Sequence, residues 1–168
     1  MDGGDSLNQS ARFDLVYGRS GMAFGNEPEP ELAKFVRSSN RRGKAIDLGC
    51  GDGRHALFLA KMSYNVTGVD ISKVAVNKLE SLAAAGNLNS FLEIFHSDAR
   101  DFNYPVNEYD LVVAVTLFDH LPKRDVVPLF EKVTGSIKPD GILFTKVHTI
   151  KDPGNTNGSD RASELSWA

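Results

Sequence analysis

The passage from Lys44 to Met62 constrains this chain most: a short apolar run, KAIDL, enters GCGDG and leaves as a helical pattern with Leu57 and Ala60 on one face. Strand, glycine-rich turn and helix in that order are most of a βαβ unit, which needs a second parallel strand beside the first. The sequence supplies it. Tyr64 to Ile71 (YNVTGVDI) reads as that strand, and Ser72 suits the N-cap of a helix whose stripe is Ala75, Leu79, Leu82 and Ala83, with Gly86 to end it. Phe91 to Ser97 alternates as a third strand, and Tyr109 to Thr116 is a continuous apolar run fit for a sheet centre covered on both faces. Val126, Leu129, Phe130, Val133 and Ile137 form another helical stripe, stopped by Lys138-Pro139-Asp140-Gly141 ahead of a fifth strand, Ile142 to His148. Upstream, Leu32, Phe35 and Val36 predict a helix that begins near Glu29, behind Pro28 and Pro30. The weakly patterned stretch 98–107 is expected to be loop or a short helix.

The predicted fold is one α/β domain over residues 1–168, a doubly wound, Rossmann-like, mostly parallel sheet. Residues 29–150 form its core, 1–28 an N-terminal lid or arm, and 151–168 a mobile tail. The first ten residues, MDGGDSLNQS, and the last eighteen, from KDPGNTNGSD, have too few apolar side chains to offset ordering entropy, so both read as mobile ends. FDLVYGRSGMAF (13–24) mixes aromatics with glycines, as a water-excluding lid does or as an amphipathic helix with its connector does. Tyr17 is the residue of interest there.

Composition narrows the partners. Nineteen Lys and Arg against 22 Asp and Glu give a net charge of −3, so charge does not draw the chain to nucleic acid. The apolar run Leu111 to Leu117 is far short of the roughly 20 residues that cross a bilayer, and Met1 opens a polar segment with no signal-peptide core. A cytoplasmic location without membrane contact is expected. Cys50 is the single cysteine, so neither an internal disulfide nor a metal cluster is foreseen.

In a parallel sheet the C-terminal strand ends gather on one edge, where ligands bind at the topological reversal. That edge receives Asp47 to Gly53 (DLGCGDG), Asp70, Asp98 and Thr116-Leu117-Phe118-Asp119-His120. Gly49 and Gly51 either admit a ligand to the backbone or make a tight turn. Asp70, 21 residues past Gly49, suits the two ribose hydroxyls of an adenosine ligand, or is a charge at a helix N-terminus. Asp98 suits an exocyclic adenine amine, or an Asx turn before Arg100. Cys50 reads as a small apolar filler rather than a nucleophile. His120 beside Asp119 is either a titratable pair or a helix-start histidine. His96 and His148 read as packing or edge residues, and His55 sits on a first helical turn. Arg19 and Arg54 either hold an anionic acceptor or are solvated.

These motifs resemble the class I S-adenosylmethionine-dependent methyltransferases. AIDLGCGDGRHALFLAK (45–61) is similar to the family's first motif, VTGVDIS (66–72) to its acidic second, HSDARDF (96–102) to its third, YDLVVAVTLFDHLP (109–122) to its fourth, and KPDGILF (138–144) to the turn into strand five. The resemblance covers about residues 29–148. Phe24-Gly25-Asn26-Glu27-Pro28 resembles the lead-in of the tellurite-resistance and thiopurine methyltransferase-like branch, with Phe for the usual Tyr. It implies S-adenosylmethionine as cofactor and a small-molecule methyl acceptor. Gly49 and Gly51, with Cys50 in the same loop, would line the methionine moiety and Asp70 the ribose. Ile71 would take the adenine face, Asp98 and Ala99 the adenine edge, and Thr116 or Leu117 the methionine ammonium. Asp47 would orient the loop or meet that ammonium through water, and Tyr17 completes the candidate cofactor contacts.

Two other readings stand beside it. A NAD-dependent oxidoreductase wants GxGxxG, whereas position 54 here is Arg; a fold that binds S-adenosylmethionine without turnover is the second. Methyl transfer itself is an in-line displacement, so a soft nucleophile needs no base, while an alcohol or amine needs one. The family's sheet has seven strands, the last two an antiparallel hairpin, yet only 20 residues follow His148. Strands six and seven are therefore not expected, and the bare edge of strand five invites a homo-oligomer.

Overall fold

Each apolar run becomes a strand. In the computed structural model, which describes residues 4–149 and side chains from residue 9 onward, β1 is Lys44–Leu48, β2 Asn65–Asp70, β3 Leu92–His96, β4 Tyr109–Val115 and β5 Ile137–Lys146. They form one parallel sheet in the order β3-β2-β1-β4-β5, so the reversal falls between β1 and β4, at the glycine loop. The helices are α1 Gly4–Tyr17, α2 Pro30–Ser38, α3 Arg54–Lys61, α4 Lys73–Ala85 and α5 Lys123–Gly135.

The two-residue period of the strands decides the layers. Ala45, Val66, Leu111 and Val113 face a core built with Leu32 and Val36 of α2, Ala56 and Leu59 of α3, and Leu79 and Ala83 of α4. Their alternates Ile46, Leu48, Val69, Val112 and Ala114 face Leu129 and Val133 of α5. Strands buried on both faces read as unbroken apolar runs, which is why β4 was legible. β5 differs: Ile142, Leu143 and Phe144 are half-buried and Val147 is 52% exposed, whereas Leu111 to Ala114 of β4 are buried. β5 is thus less covered than β4.

Two expectations need correction. Of the N-terminal segment read as mobile, residues 4–10 are the first half of α1. The helix is tied to the body by polar contacts that composition does not show: Asp14 Oδ1 accepts from Ser72 Oγ at 2.6 Å and Val74 N at 3.2 Å, and Ser10 Oγ donates to the Ile71 carbonyl at 3.0 Å. A helix of this length is marginal alone and persists through such docking. The tail 151–168 lies outside the described residues.

The second correction concerns Lys138 to Gly141. This segment lies inside β5 as a bulge, and the helix ends earlier, at Gly135. Ile137 pairs with Tyr109, the register then shifts, and pairing resumes at Leu111 with Ile142. Pro139 has no N–H to give to a ladder, and Asp140 takes φ +66°, so the extra residues loop out while apolar residues on both sides stay paired. A helical stripe and a strand entry share Ile137 in sequence; only the pairing partner decides between them. The stretch 98–107 contains no helix.

Candidate functional site

β1 delivers Asp47 to the α3 side of the sheet, since it alternates with Ile46 and Leu48. Its carboxylate is 1% exposed and accepts the Ala56 N–H, but Oδ2 has no partner. Burial, then the nearby Asp70 charge, pushes it up to about 8. The chain then turns through Gly49 (φ +68°) and Gly51 (φ +55°), left-handed conformations that glycine adopts without a Cβ penalty. Gly49 N and Cys50 N both donate to the Val69 carbonyl, at 2.8 and 3.1 Å, clamping the loop to β2. Cys50 turns its thiol into the core against Gly68, and burial holds it well above the usual thiol range. Its side chain is thus a filler, and only its backbone belongs to the loop.

Asp70, at the end of β2, is 6% exposed. Oδ2 accepts from Gly51 N at 2.7 Å and Oδ1 from Ser72 N at 2.8 Å. Burial raises its carboxyl above the ordinary value while these two amides oppose the shift. The carboxylate therefore joins two adjacent strand ends, and the glycine loop is folded onto it.

Beyond Asp70 an open cleft of about 480 Å³ is lined by Ser10, Ile71, His96, Asp98, Arg100, Asp101 and Asp125. His96, the last residue of the edge strand β3, is the edge residue expected, and its Nε2 lies 3.0 Å from the Ile71 carbonyl. Asp98 makes the Asx turn: its Oδ1 accepts Arg100 N at 2.8 Å, and the guanidinium grips both its oxygens, at 3.0 and 2.7 Å. Burial pushes the Asp98 carboxyl up, but Arg100 outweighs it and leaves it below the ordinary value. Arg100 also reaches Asp125 at 2.6 Å, joining the β3 exit to α5. Ala99 is buried, and its carbonyl accepts from Tyr104 Oη at 2.8 Å.

At the end of β4, Thr116 takes φ +58°, costly for a β-branched residue, and presents Leu117 to the glycine loop, where a Cβ on Gly49 would lie 3.4 Å from Leu117 Cδ1. Asp119 follows on the 3-10 turn Phe118–His120, yet it is His148, just past β5, that it binds: His148 Nδ1 lies 2.8 Å from Asp119 Oδ2. His120 instead meets α1, with Phe13 edge-on at 5.2 Å and Gln9 donating to its carbonyl at 2.7 Å.

Over all of this lies the N-terminal segment. Tyr17 is 7% exposed, and a Cβ on Gly51 would come within 2.5 Å of its Oη. Burial, then Asp70 and Asp52, keeps its phenol protonated well above the ordinary range. Phe13 and Phe24 flank the ring at 6.3 and 5.9 Å. The connector after α1 is fastened by Asp52, 2% exposed, whose Oδ2 accepts from Ala23 N at 2.7 Å and Lys78 Nζ at 3.3 Å. Glu29 clamps Arg54 at 3.3 Å and Lys146 at 2.9 Å, so Arg54 is engaged rather than solvated, whereas Arg19 is exposed. His55 is buried with Nε2 unpartnered, and burial lowers it to about 4, so it is neutral near pH 7. Sequence reasoning missed Ser10, Asp14 and Asp52; of its two readings of His120 the helix-start one fits the 3-10 turn, and it did not foresee the contact of Asp119 with His148. Only the acid spacing around the glycine loop hinted at Asp52.

A parallel, doubly wound sheet with acidic strand ends around a glycine loop at its reversal point defines a Rossmann-like protein with a nucleotide-type cofactor cleft. A family model described as a methyltransferase domain matches residues 45–141, more than half of the chain, and the chain belongs to that family. Among curated proteins it is similar to a ubiquinone biosynthesis O-methyltransferase of Hydrogenovibrio crunogenus, 30% identical over 59% of this chain and 40% of the relative. It is also similar to a 2-heptyl-1-hydroxyquinolin-4(1H)-one methyltransferase of Mycobacteroides abscessus, 26% identical over 57% of this chain and 42% of the relative. The chain thus spans less than half the length of these relatives. Its fold matches a Haemonchus contortus phosphoethanolamine N-methyltransferase, solved with phosphoethanolamine and S-adenosylhomocysteine, at a TM-score of 0.72 and 16% identity, covering 88% of this chain and 33% of that one. Among the described residues no helix is long and apolar enough to cross a membrane, and no cluster of His, Cys, Asp and Glu could hold a metal ion.

Proposed function

We propose that the chain binds S-adenosylmethionine and transfers its methyl group to a small-molecule acceptor. The observation that carries this is the Asp70 carboxylate, buried between Gly51 N and Ser72 N, with the next residue, Ile71, lining an open cleft. The residues fit the cofactor. Asp47 keeps a buried oxygen without a partner beside the glycine loop, an acceptor that a water-bridged ammonium would satisfy, and the turn itself carries no Cβ at Gly49 and Gly51. The small-molecule names of the relatives support the acceptor class.

When bound, the cofactor supplies an activated methyl group on a sulfonium. Asp70 would accept from the ribose hydroxyls, Ile71 would cover the adenine face, and Asp98 and the Ala99 backbone would meet its edge. Gly49, Gly51 and the Cys50 backbone would line the methionine, and the Thr116 or Leu117 carbonyl would accept from its ammonium. Tyr17 and α1 act as the lid that keeps water from the reacting atoms. The setting is cytoplasmic, with no nucleic acid or membrane partner, and the half-covered β5 edge favours self-association. Calorimetry decides the cofactor: affinity for NAD with none for S-adenosylmethionine or its demethylated product would falsify the proposal. Methyl-labelled cofactor with a panel of small acceptors then tests transfer and separates an enzyme from a non-catalytic binder.

A further inference from the structure

We propose that His148, oriented by Asp119, is the general base of the transfer, and that the acceptor is a phenol-type hydroxyl compound; this rests on the methyl-transfer reading above. The residues converge from two strand ends. Asp119 sits three residues past the Thr116 kink, on the turn that holds Leu117 against the glycine loop, and His148 follows β5, the neighbour of β4. The Asp119 carboxylate takes the His148 ring at Nδ1, 2.8 Å from Oδ2, and accepts the His148 backbone N–H, 3.3 Å from Oδ1 and 3.1 Å from Oδ2. With Nδ1–H donated to a carboxylate, a neutral imidazole carries its lone pair on Nε2, and the ring is half-exposed, as a base serving an exchangeable ligand must be. One carboxylate thus holds both the ring and the backbone N–H of His148.

The surroundings favour an aromatic acceptor. Phe118 precedes Asp119 and leans on Phe130, with ring centres 6.1 Å apart, while Phe13 reaches the same turn from α1. Lys146, on the strand leading to His148, is paired with Glu29, and His120 adjoins Asp119 on the turn. An imidazole matches a phenol, whose ordinary acidity is close to tyrosine's, far better than it matches an alkanol.

The step balances. As the acceptor oxygen forms its bond to the methyl carbon, Nε2 takes the hydroxyl proton, and the carbon–sulfur bond breaks with its electron pair going to sulfur. The positive charge passes from sulfonium to imidazolium, where Asp119 stabilises it until the proton leaves to solvent.

The test compares 4-methylphenol with 4-methylbenzenethiol as acceptors of labelled methyl in the 168-residue chain, its His148→Gln variant and its Asp119→Asn variant. The thiol reacts as thiolate and needs no base. The phenol rate is expected to fall about 100-fold or more in His148→Gln while the thiol rate stays within about threefold, with Asp119→Asn in between. Equal losses on both acceptors would make the pair a structural clasp and overturn the proposal. So would an unchanged phenol rate, or a parent protein that methylates the thiol alone or neither acceptor despite binding cofactor. Nitrogen-detected NMR of the free protein gives a readout without turnover: His148 is expected as the Nδ1–H tautomer, shifting toward a mixture in Asp119→Asn, and the opposite tautomer overturns the assignment. Failure to bind the cofactor at all would instead sink the methyl-transfer reading.

Discussion

Replacing Asp47 by Asn should make the cofactor-free protein more stable and its stability less dependent on pH. Burial raises the Asp47 carboxyl from 3.8 to about 8, with Asp70 as second cause. Above pH 4 the unfolded chain sheds this proton while the native state keeps it, so stability falls as pH rises and levels off past about 8. At pH 7 the gap is 7 minus 3.8, about three units, which at about 1.36 kcal/mol each is on the order of 4 kcal/mol. At pH 5 the same arithmetic gives about 2 kcal/mol. An Asn oxygen still accepts the Ala56 N–H and carries no charge, so the variant should gain roughly these amounts over the parent. Urea denaturation of both proteins at pH 5, 6, 7 and 8, without cofactor, measures the difference. Cofactor affinity should move the other way, weakening by about 1 to 3 kcal/mol, because Asn, unlike the protonated Asp47, cannot give up a proton to become a charged acceptor for the ammonium. Parallel pH profiles for the two proteins would refute the reasoning, since they would mean that water or a local opening already ionises Asp47 at no cost.

Asp70→Ala should cost on the order of 2 to 4 kcal/mol of cofactor affinity by calorimetry with the fold retained; unchanged affinity would reduce Asp70 to a helix-end charge. Gly51→Ala should expel Tyr17, because the new Cβ would lie 2.5 Å from its Oη at a φ of +55°. Faster proteolysis between residues 18 and 29 should report the released segment, and an unchanged digest would show that Tyr17 is not what holds it. Thr116→Asn should raise stability by up to about 1 kcal/mol in urea, since Asn tolerates the left-handed conformation that Thr resists. Destabilisation instead would mean that the threonine side chain contributes packing that outweighs its backbone strain.

What the sequence determined by itself was periodic and local. β1 was read as Lys44 to Leu48 and is that; Ser72 caps α4, accepting from Ala75 N at 3.1 Å, and Gly86 ends it. These features depend on neighbours within one turn or one strand, so side-chain type suffices to place them. The acids Asp47, Asp70 and Asp98 were legible for a related reason: each lies at, or within two residues of, the C-terminal end of a strand, and a right-handed parallel crossover sends every such end to the same edge. Tertiary structure decided whatever depended on a partner far along the chain. α1 persists because Asp14 reaches residues 58 and 60 positions away, which no composition window contains. Ile137 satisfies a helical stripe, and only Tyr109 beside it makes it a strand. Asp119 adjoins His120 in sequence but binds His148, 29 residues on, because β4 and β5 end side by side and the 3-10 turn aims the carboxylate across the gap. Asp98, read for an adenine edge, is gripped by Arg100, which Asp125 on α5 also holds. Sequence spacing fixes which residues arrive at an edge; the competition among charges once they have arrived is settled by distances of 3 Å that only packing sets.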